Sequence, residues 1–97
     1  EKSIENYLAD EIKALGGLCI KLNANWYKGI PDRLCIFTVW PRNSPCIVFV
    51  ELKRPKGGRL SVAQKMYRNM LTRLGVEWHL INSKALVDQL LNGELSE

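Results

Sequence analysis

Three side chains in this 97-residue chain sit where ordinary folding physics does not ask for them. Asp32 follows Pro31 at the threshold of an apolar segment, and Glu51 and Lys53 close the run Cys46-Ile-Val-Phe-Val-Glu-Leu-Lys53. Side chains of a strand alternate between faces, so Glu51 and Lys53 share one face while Val48, Val50 and Leu52 take the other. A carboxylate and an ammonium at the end of a central strand are expensive unless paired, exposed at the strand end, or used with a metal. Hydrolysis of a phosphodiester with a divalent cation asks for such a set. Carboxylates hold the ion, a neighbouring group serves the attacking water, and positive charge balances the transition state. Mg²⁺ takes hard oxygen ligands, including backbone carbonyls, so the Leu52 carbonyl between Glu51 and Lys53 is a candidate third ligand. Alone, a Glu-x-Lys strand is more often a surface ion pair, and an Asp after Pro a turn residue. Their occurrence together, followed by the basic loop Arg54-Pro-Lys-Gly-Gly-Arg59, is what points to a site.

These residues have to be brought together by the elements around them. Glu1 to about Leu15 reads as a helix with Ile4, Leu8, Ile12 and Leu15 on one stripe, stopped by Gly16-Gly17 with one glycine in the left-handed position. Leu18 to about Asn23 is a short strand, and Asn23 to Pro31 a loop with Trp26 and Tyr27 beside Lys28. Arg33 to about Trp40 is a second strand, joined by a turn at Pro41–Pro45 to the Cys46–Lys53 strand. If these two pair as an antiparallel hairpin, the start of one lies beside the end of the other, and Asp32 and Glu51 meet at one end of the sheet. Ser61-Val-Ala-Gln64 has the capping-box form and opens a second helix with Val62, Met66, Met70, Leu71 and Leu74 turned inward, ending at Gly75. Val76 to Ile81 is a fourth strand, and Asn82-Ser83 caps a last helix to about Leu91. The order α-β-β-β-α-β-α, with a helix between the third and fourth strands, predicts one α/β domain over residues 1–97, a mixed four-stranded sheet flanked by helices.

The formal charge of +4 leans weakly toward a polyanionic partner. Lys28, Arg33, Arg42, Arg54, Lys56 and Arg59 cluster around the proposed site, with Lys65 and Arg68 on the next helix, as sequence-independent phosphate contacts would require. Trp26 and Tyr27 suit either an unpaired base or a half-buried packing role. His79, the only histidine, has no metal or nucleophile partner in sequence and reads as structural. The three cysteines, Cys19, Cys35 and Cys46, lie in strands with no CxxC spacing, which argues against a disulfide framework or zinc site and for small buried hydrophobes in a reducing compartment. No membrane-spanning run or signal-peptide pattern is visible, so a cytoplasmic setting is expected.

Gly29-Ile-Pro-Asp-Arg33 followed by Val50-Glu-Leu-Lys53 resembles the signature of PD-(D/E)XK nucleases and, more narrowly, is similar to VRR-NUC domains of the stand-alone phage or bacterial type. The likeness runs over nearly the whole chain, from the opening helix to the Ser-x-x-Gln helix. It implies a restriction-endonuclease-like core, Mg²⁺ or Mn²⁺ as cofactor, cleavage of DNA, and in some members a homodimer acting on branched DNA such as Holliday junctions. Carried over, Asp32 and Glu51 become metal ligands and Lys53 the catalytic lysine. The family also places an acidic residue on the first helix. Glu1 lies about 25° from the centre of the apolar stripe and Glu5 about 65°, which favours Glu1. Gln64 becomes a positioner of water or metal ligand, a role compatible with its place in the capping box. The Trp40-Pro41 hairpin tip and the last helix, through Leu86, Val87, Leu90 and Leu91, are candidate dimer surfaces, with core packing as the alternative. A nicking or end-processing nuclease and a non-catalytic nucleic-acid-binding module are the competing readings.

Overall fold

The computed structural model describes residues 2–39 and 44–95; Glu1, Arg42 and the Trp40-Pro41 hairpin tip lie outside the described residues. The elements run α1 (Lys2–Ala14), β1 (Leu18–Lys21), β2 (Arg33–Phe37), β3 (Cys46–Leu52), α2 (Val62–Arg73), β4 (Glu77–Ile81) and α3 (Lys84–Leu91), in the expected order. The sheet order is β1-β2-β3-β4, with antiparallel pairing through β3 and a parallel β3–β4 pair bridged by α2. The strands are shorter than the sequence suggested, β1 by two residues and β2 ending at Phe37.

The pleat divides the side chains into two unlike faces. On one, Cys35, Phe37, Cys46, Val48, Val50, Leu52 and Ile81 pack against Ile4, Leu8 and Ile12 of α1 and Val87 and Leu90 of α3. Each such side chain contributes about 1.5–3 kcal/mol by burial, so most of the stability comes from this layer. α1 ends at Ala14, one residue short of Leu15, which the predicted stripe included and which is exposed. Gly16, at φ 78°, takes the left-handed position that ends the helix. The last helix is core rather than interface: Val87 and Leu90 are buried, with Leu86 and Leu91 packed against the same cluster.

The other face carries Leu34, Ile36, Phe49, Glu51, Trp78 and Leu80, and among the described helices α2 lies over it, packed mainly on β4. Here the predicted inward set of α2 is corrected. Leu71 is buried, but Val62 is 76% exposed, Met66 65% and Leu74 69%, with Met70 also exposed. The reason lies in the helix rotation. Gln64 and Leu71 are seven residues apart and share one side, and Gln64 is held toward the strand end by its bonds to Glu51 and Lys53. That turns the 62-66-70-74 row, which advances about 40° per step, away from the sheet.

Candidate active site

Ser61 opens α2 with its side chain accepting from the Gln64 amide at 3.1 Å, while Gln64 Oε1 accepts from the Ser61 amide at 2.8 Å. The reciprocal pair fixes the Gln64 side chain at the helix start. From there Oε1 also accepts from Lys53 Nζ at 3.0 Å, and Nε2 donates to Glu51 Oε2 at 3.1 Å. Gln64 is therefore both a cap and the link between the two charged residues of β3, so neither reading excluded the other.

Asp32 reaches the same place from the β2 side. Arg33 pairs with Val50, which puts Asp32 opposite Glu51 at the strand end, and Asp32 Oδ2 accepts from the Leu52 amide at 2.7 Å. In an extended strand a residue's N–H and C=O leave on the same side, so the Leu52 carbonyl is directed toward the Asp32 edge as well. The hairpin expectation for Asp32 and Glu51 is met.

Glu51 is only 2% exposed, and its Oε1 is a buried oxygen without a hydrogen-bond partner. Burial pushes its carboxyl up to about 8, reinforced by hydrogen bonding with Asp32 and by the negative charge of that neighbour, while Lys53 works in the opposite direction. An orphaned carboxylate oxygen beside a second carboxylate, with excess negative charge, is the environment a hard divalent cation relieves. Asp32 and Glu51 with the Leu52 carbonyl fit such an ion. Among the described residues no group of three His, Cys, Asp or Glu side chains converges on one point, so the carboxylate share rests on this pair.

Two other acidic and basic expectations resolve differently. Glu5 Oε2 is 3.0 Å from Arg33 Nε in an ion pair, and Arg33 Nη1 donates to the Cys19 carbonyl at 3.1 Å. Arg33 alternates with Cys35 and Phe37 on the face toward α1, opposite the face of Glu51. It is thus a strut inside the fold, not a phosphate contact, and the signal for this was its even spacing from Cys35. Glu1, the preferred first-helix acid, lies outside the described residues. Lys28, Arg54, Lys56 and Arg59 are all exposed, and Arg68 lies 6.0 Å from the Trp78 ring centre. Trp26 and Tyr27 are exposed on the loop before Gly29. Gly29, at φ 87°, brings this loop so close to α2 that a Cβ there would lie 2.5 Å from the Ala63 carbonyl. His79 is buried on the core face with Nε2 3.3 Å from Glu77 Oε1, a structural placement.

The mixed sheet, its flanking helices and an Asp/Glu-x-Lys cluster at the β2–β3 strand end define a domain of restriction-endonuclease-like fold. A solved structure of a VRR_NUC domain superposes with a TM-score of 0.79 and 30% sequence identity, covering 94% of this chain and 92% of that one. The chain belongs to the VRR_NUC family. A curated protein of Acyrthosiphon pisum secondary endosymbiont phage 1, named "Putative nuclease p44", is 38% identical over 55 residues. The matched stretch is 57% of this chain and 54% of that protein, so the chain spans about half the length of this relative. A comparison with family sequence models gives no match.

Proposed function

We propose that this domain is a metal-dependent DNA endonuclease. The observation that carries the reading is the buried, unpartnered Oε1 of Glu51 beside Asp32. In this reading Asp32, Glu51 and the Leu52 carbonyl hold Mg²⁺ or Mn²⁺. The bound ion supplies Lewis acidity to the scissile phosphate and lowers the pKa of water. Lys53, on the same face as Glu51, orients the attacking water and offsets charge developing on the phosphate. Gln64 keeps the Lys53 ammonium and the Glu51 carboxylate in register. Lys28, Arg54, Lys56 and Arg59 contact backbone phosphates without reading sequence.

The finer reading is structure-selective cutting of branched DNA by a homodimer. A body of 37 × 30 × 23 Å with one site is small for gripping two duplex arms, and two copies would supply paired cuts. The exposed α2 row and Leu18, Ile20 and Ile47 of the open sheet face give a second copy apolar surface to bury. The test is incubation with labelled four-way junction, flap, duplex and single strand in Mg²⁺, Mn²⁺ or EDTA. Cutting that EDTA and Lys53→Ala abolish is expected, with paired symmetric nicks at the junction. Binding without cutting in every metal sinks the nuclease reading. Cutting of linear duplex as fast as junction leaves a nicking enzyme instead.

A further inference from the structure

No spacing among the three cysteines suggests a pair, yet the fold brings two of them face to face. Cys19 on β1 and Cys35 on β2 are direct register partners, with their Sγ atoms 3.8 Å apart. The Leu22 amide donates to the Asp32 carbonyl at 2.9 Å, which makes Leu22–Asp32 a hydrogen-bonded pair. Pairs alternate along an antiparallel ladder, so Cys19–Cys35, three steps away, is of the close, non-hydrogen-bonded kind. Cα atoms at such pairs lie about 4.5 Å apart, inside the range a disulfide spans. Bond formation needs the sulfurs to close by roughly 1.8 Å, within reach of side-chain rotation and a small backbone adjustment.

We propose that Cys19 and Cys35 form a cross-strand dithiol that a hydroperoxide oxidises to an intramolecular disulfide. Cys19 is the half-buried partner on an edge strand and is the thiol a small oxidant can reach, whereas Cys35 is buried behind it. The hydrogen bond with Cys35 and the nearby Arg33 guanidinium both lower the pKa of the Cys19 thiol, whereas that of Cys35 is raised by the same bond and by burial. The Cys19 thiolate attacks one peroxide oxygen and the O–O bond breaks. The departing hydroxide (or alkoxide, from an organic peroxide) takes up the proton the Cys19 thiol had released and leaves as water or alcohol, and Cys19 becomes a sulfenic acid. The Cys35 sulfur then attacks the Cys19 sulfur, its proton leaves with the displaced hydroxyl as water, and the S–S bond closes. The peroxide has taken up the two electrons the thiols gave. The new bond closes the segment that holds the Trp26–Gly29 loop and ends near Asp32, on the sheet face opposite Glu51.

The test uses the reduced full-length chain, treated with a few equivalents of hydrogen peroxide, then denatured, alkylated and weighed intact. The expected product has one alkylatable thiol, Cys46, and a Cys19–Cys35 linked peptide on non-reducing digestion. Dithiothreitol returns all three thiols. The Cys46→Ala protein is expected to form the same link, and Cys35→Ala to stop at a dimedone-reactive sulfenic acid on Cys19. Three free thiols after treatment, Cys19 carried to sulfinic acid without a link, or a link that involves Cys46 each overturns the proposal. The wild-type masses decide this even if Cys35→Ala does not fold. Closure is also expected to raise the melting temperature by roughly 10–20 °C.

Discussion

The two faces of the sheet are built from the same strands and do opposite things. The face toward α1 and α3 is closed: Leu8, Ile12, Val48, Val50, Ile81 and Val87 are buried there, and its acid–base pairs among the described residues, Glu5–Arg33 and Glu77–His79, are satisfied internally. The face toward α2 is half open, with Leu18 and Ile47 in solvent, and it holds a buried carboxylate oxygen with no partner. One layer anchors so that the other can keep unpaired charge and exposed apolar surface. The contrast teaches that the arginine next to Asp32 serves the anchor, while the glutamine on α2 serves the site.

The sharpest way to separate the faces is to strike Glu51 and Leu8 in parallel. Glu51→Ala removes the proposed metal carboxylate, and DNA cleavage is expected to fall by at least about 10³-fold, roughly 4 kcal/mol of transition-state stabilisation. Its fold is expected to persist, because the change deletes a single side-chain bond, from Gln64 Nε2 to Oε2, and with it a buried oxygen that has no partner. Leu8→Ala opens a cavity in the closed layer and should lower stability by about 2–5 kcal/mol in denaturant titration, with turnover per folded molecule unchanged. Were Leu8→Ala to abolish cleavage in protein that is still folded, the division between faces would be wrong. Gln64→Ala comes next. It leaves both charges present but unlinked, and a loss of about 10–100-fold in activity is expected, with Gln64→Glu failing to restore it because it can no longer donate to Glu51.

The open face also has a pH signature. The Glu51 carboxyl sits at about 8, well above its ordinary value, so the folded protein holds a proton that the unfolded chain has released. That contribution to stability is present in acid and is lost as pH rises through about 8. In EDTA the melting temperature is therefore expected to fall between pH 5 and 9, and Glu51→Gln to flatten that part of the curve. Added Mg²⁺ should oppose the decline, most strongly at the alkaline end where the carboxylate is free. A Glu51→Gln curve that declines as steeply as wild type would refute the assignment.

The sequence exposed this architecture unevenly, for physical reasons. Element order and the meeting of Asp32 with Glu51 follow from local signals: strand alternation, a hairpin turn and a capping box. The rotation of α2 does not, because the 62-66-70-74 row is as apolar as a core stripe, and only the long-range hold of Gln64 on Glu51 and Lys53 decides which side faces the sheet. The role of Arg33 was hidden similarly. Its spacing from Cys35 put it on the core face, but a basic residue next to Asp32 looks like a phosphate contact until Glu5 is seen opposite. The Cys19–Cys35 contact required the strand register, which no spacing of cysteines encodes.

The smallest expected effect tests the open face most directly. Met66→Lys places a charge where the side chain is already in solvent, so the stability of the isolated chain should change by less than about 0.5 kcal/mol. The contrast with Leu8→Ala, also a single substitution on a helical apolar row, is then roughly fourfold or more in free energy. If a second copy covers α2, the same change buries an ammonium against apolar surface or basic neighbours such as Arg73. Sedimentation equilibrium should then show wild type as a dimer and Met66→Lys as a monomer at matched concentration, with junction cutting reduced to single uncoupled nicks. A wild type that sediments as a monomer throughout removes the dimer while leaving the catalytic assignment intact, because Asp32, Glu51, Lys53 and Gln64 all belong to one chain. A dimer that survives Met66→Lys instead moves the contact off α2, toward Leu18, Ile20 and Ile47 on the uncovered strands.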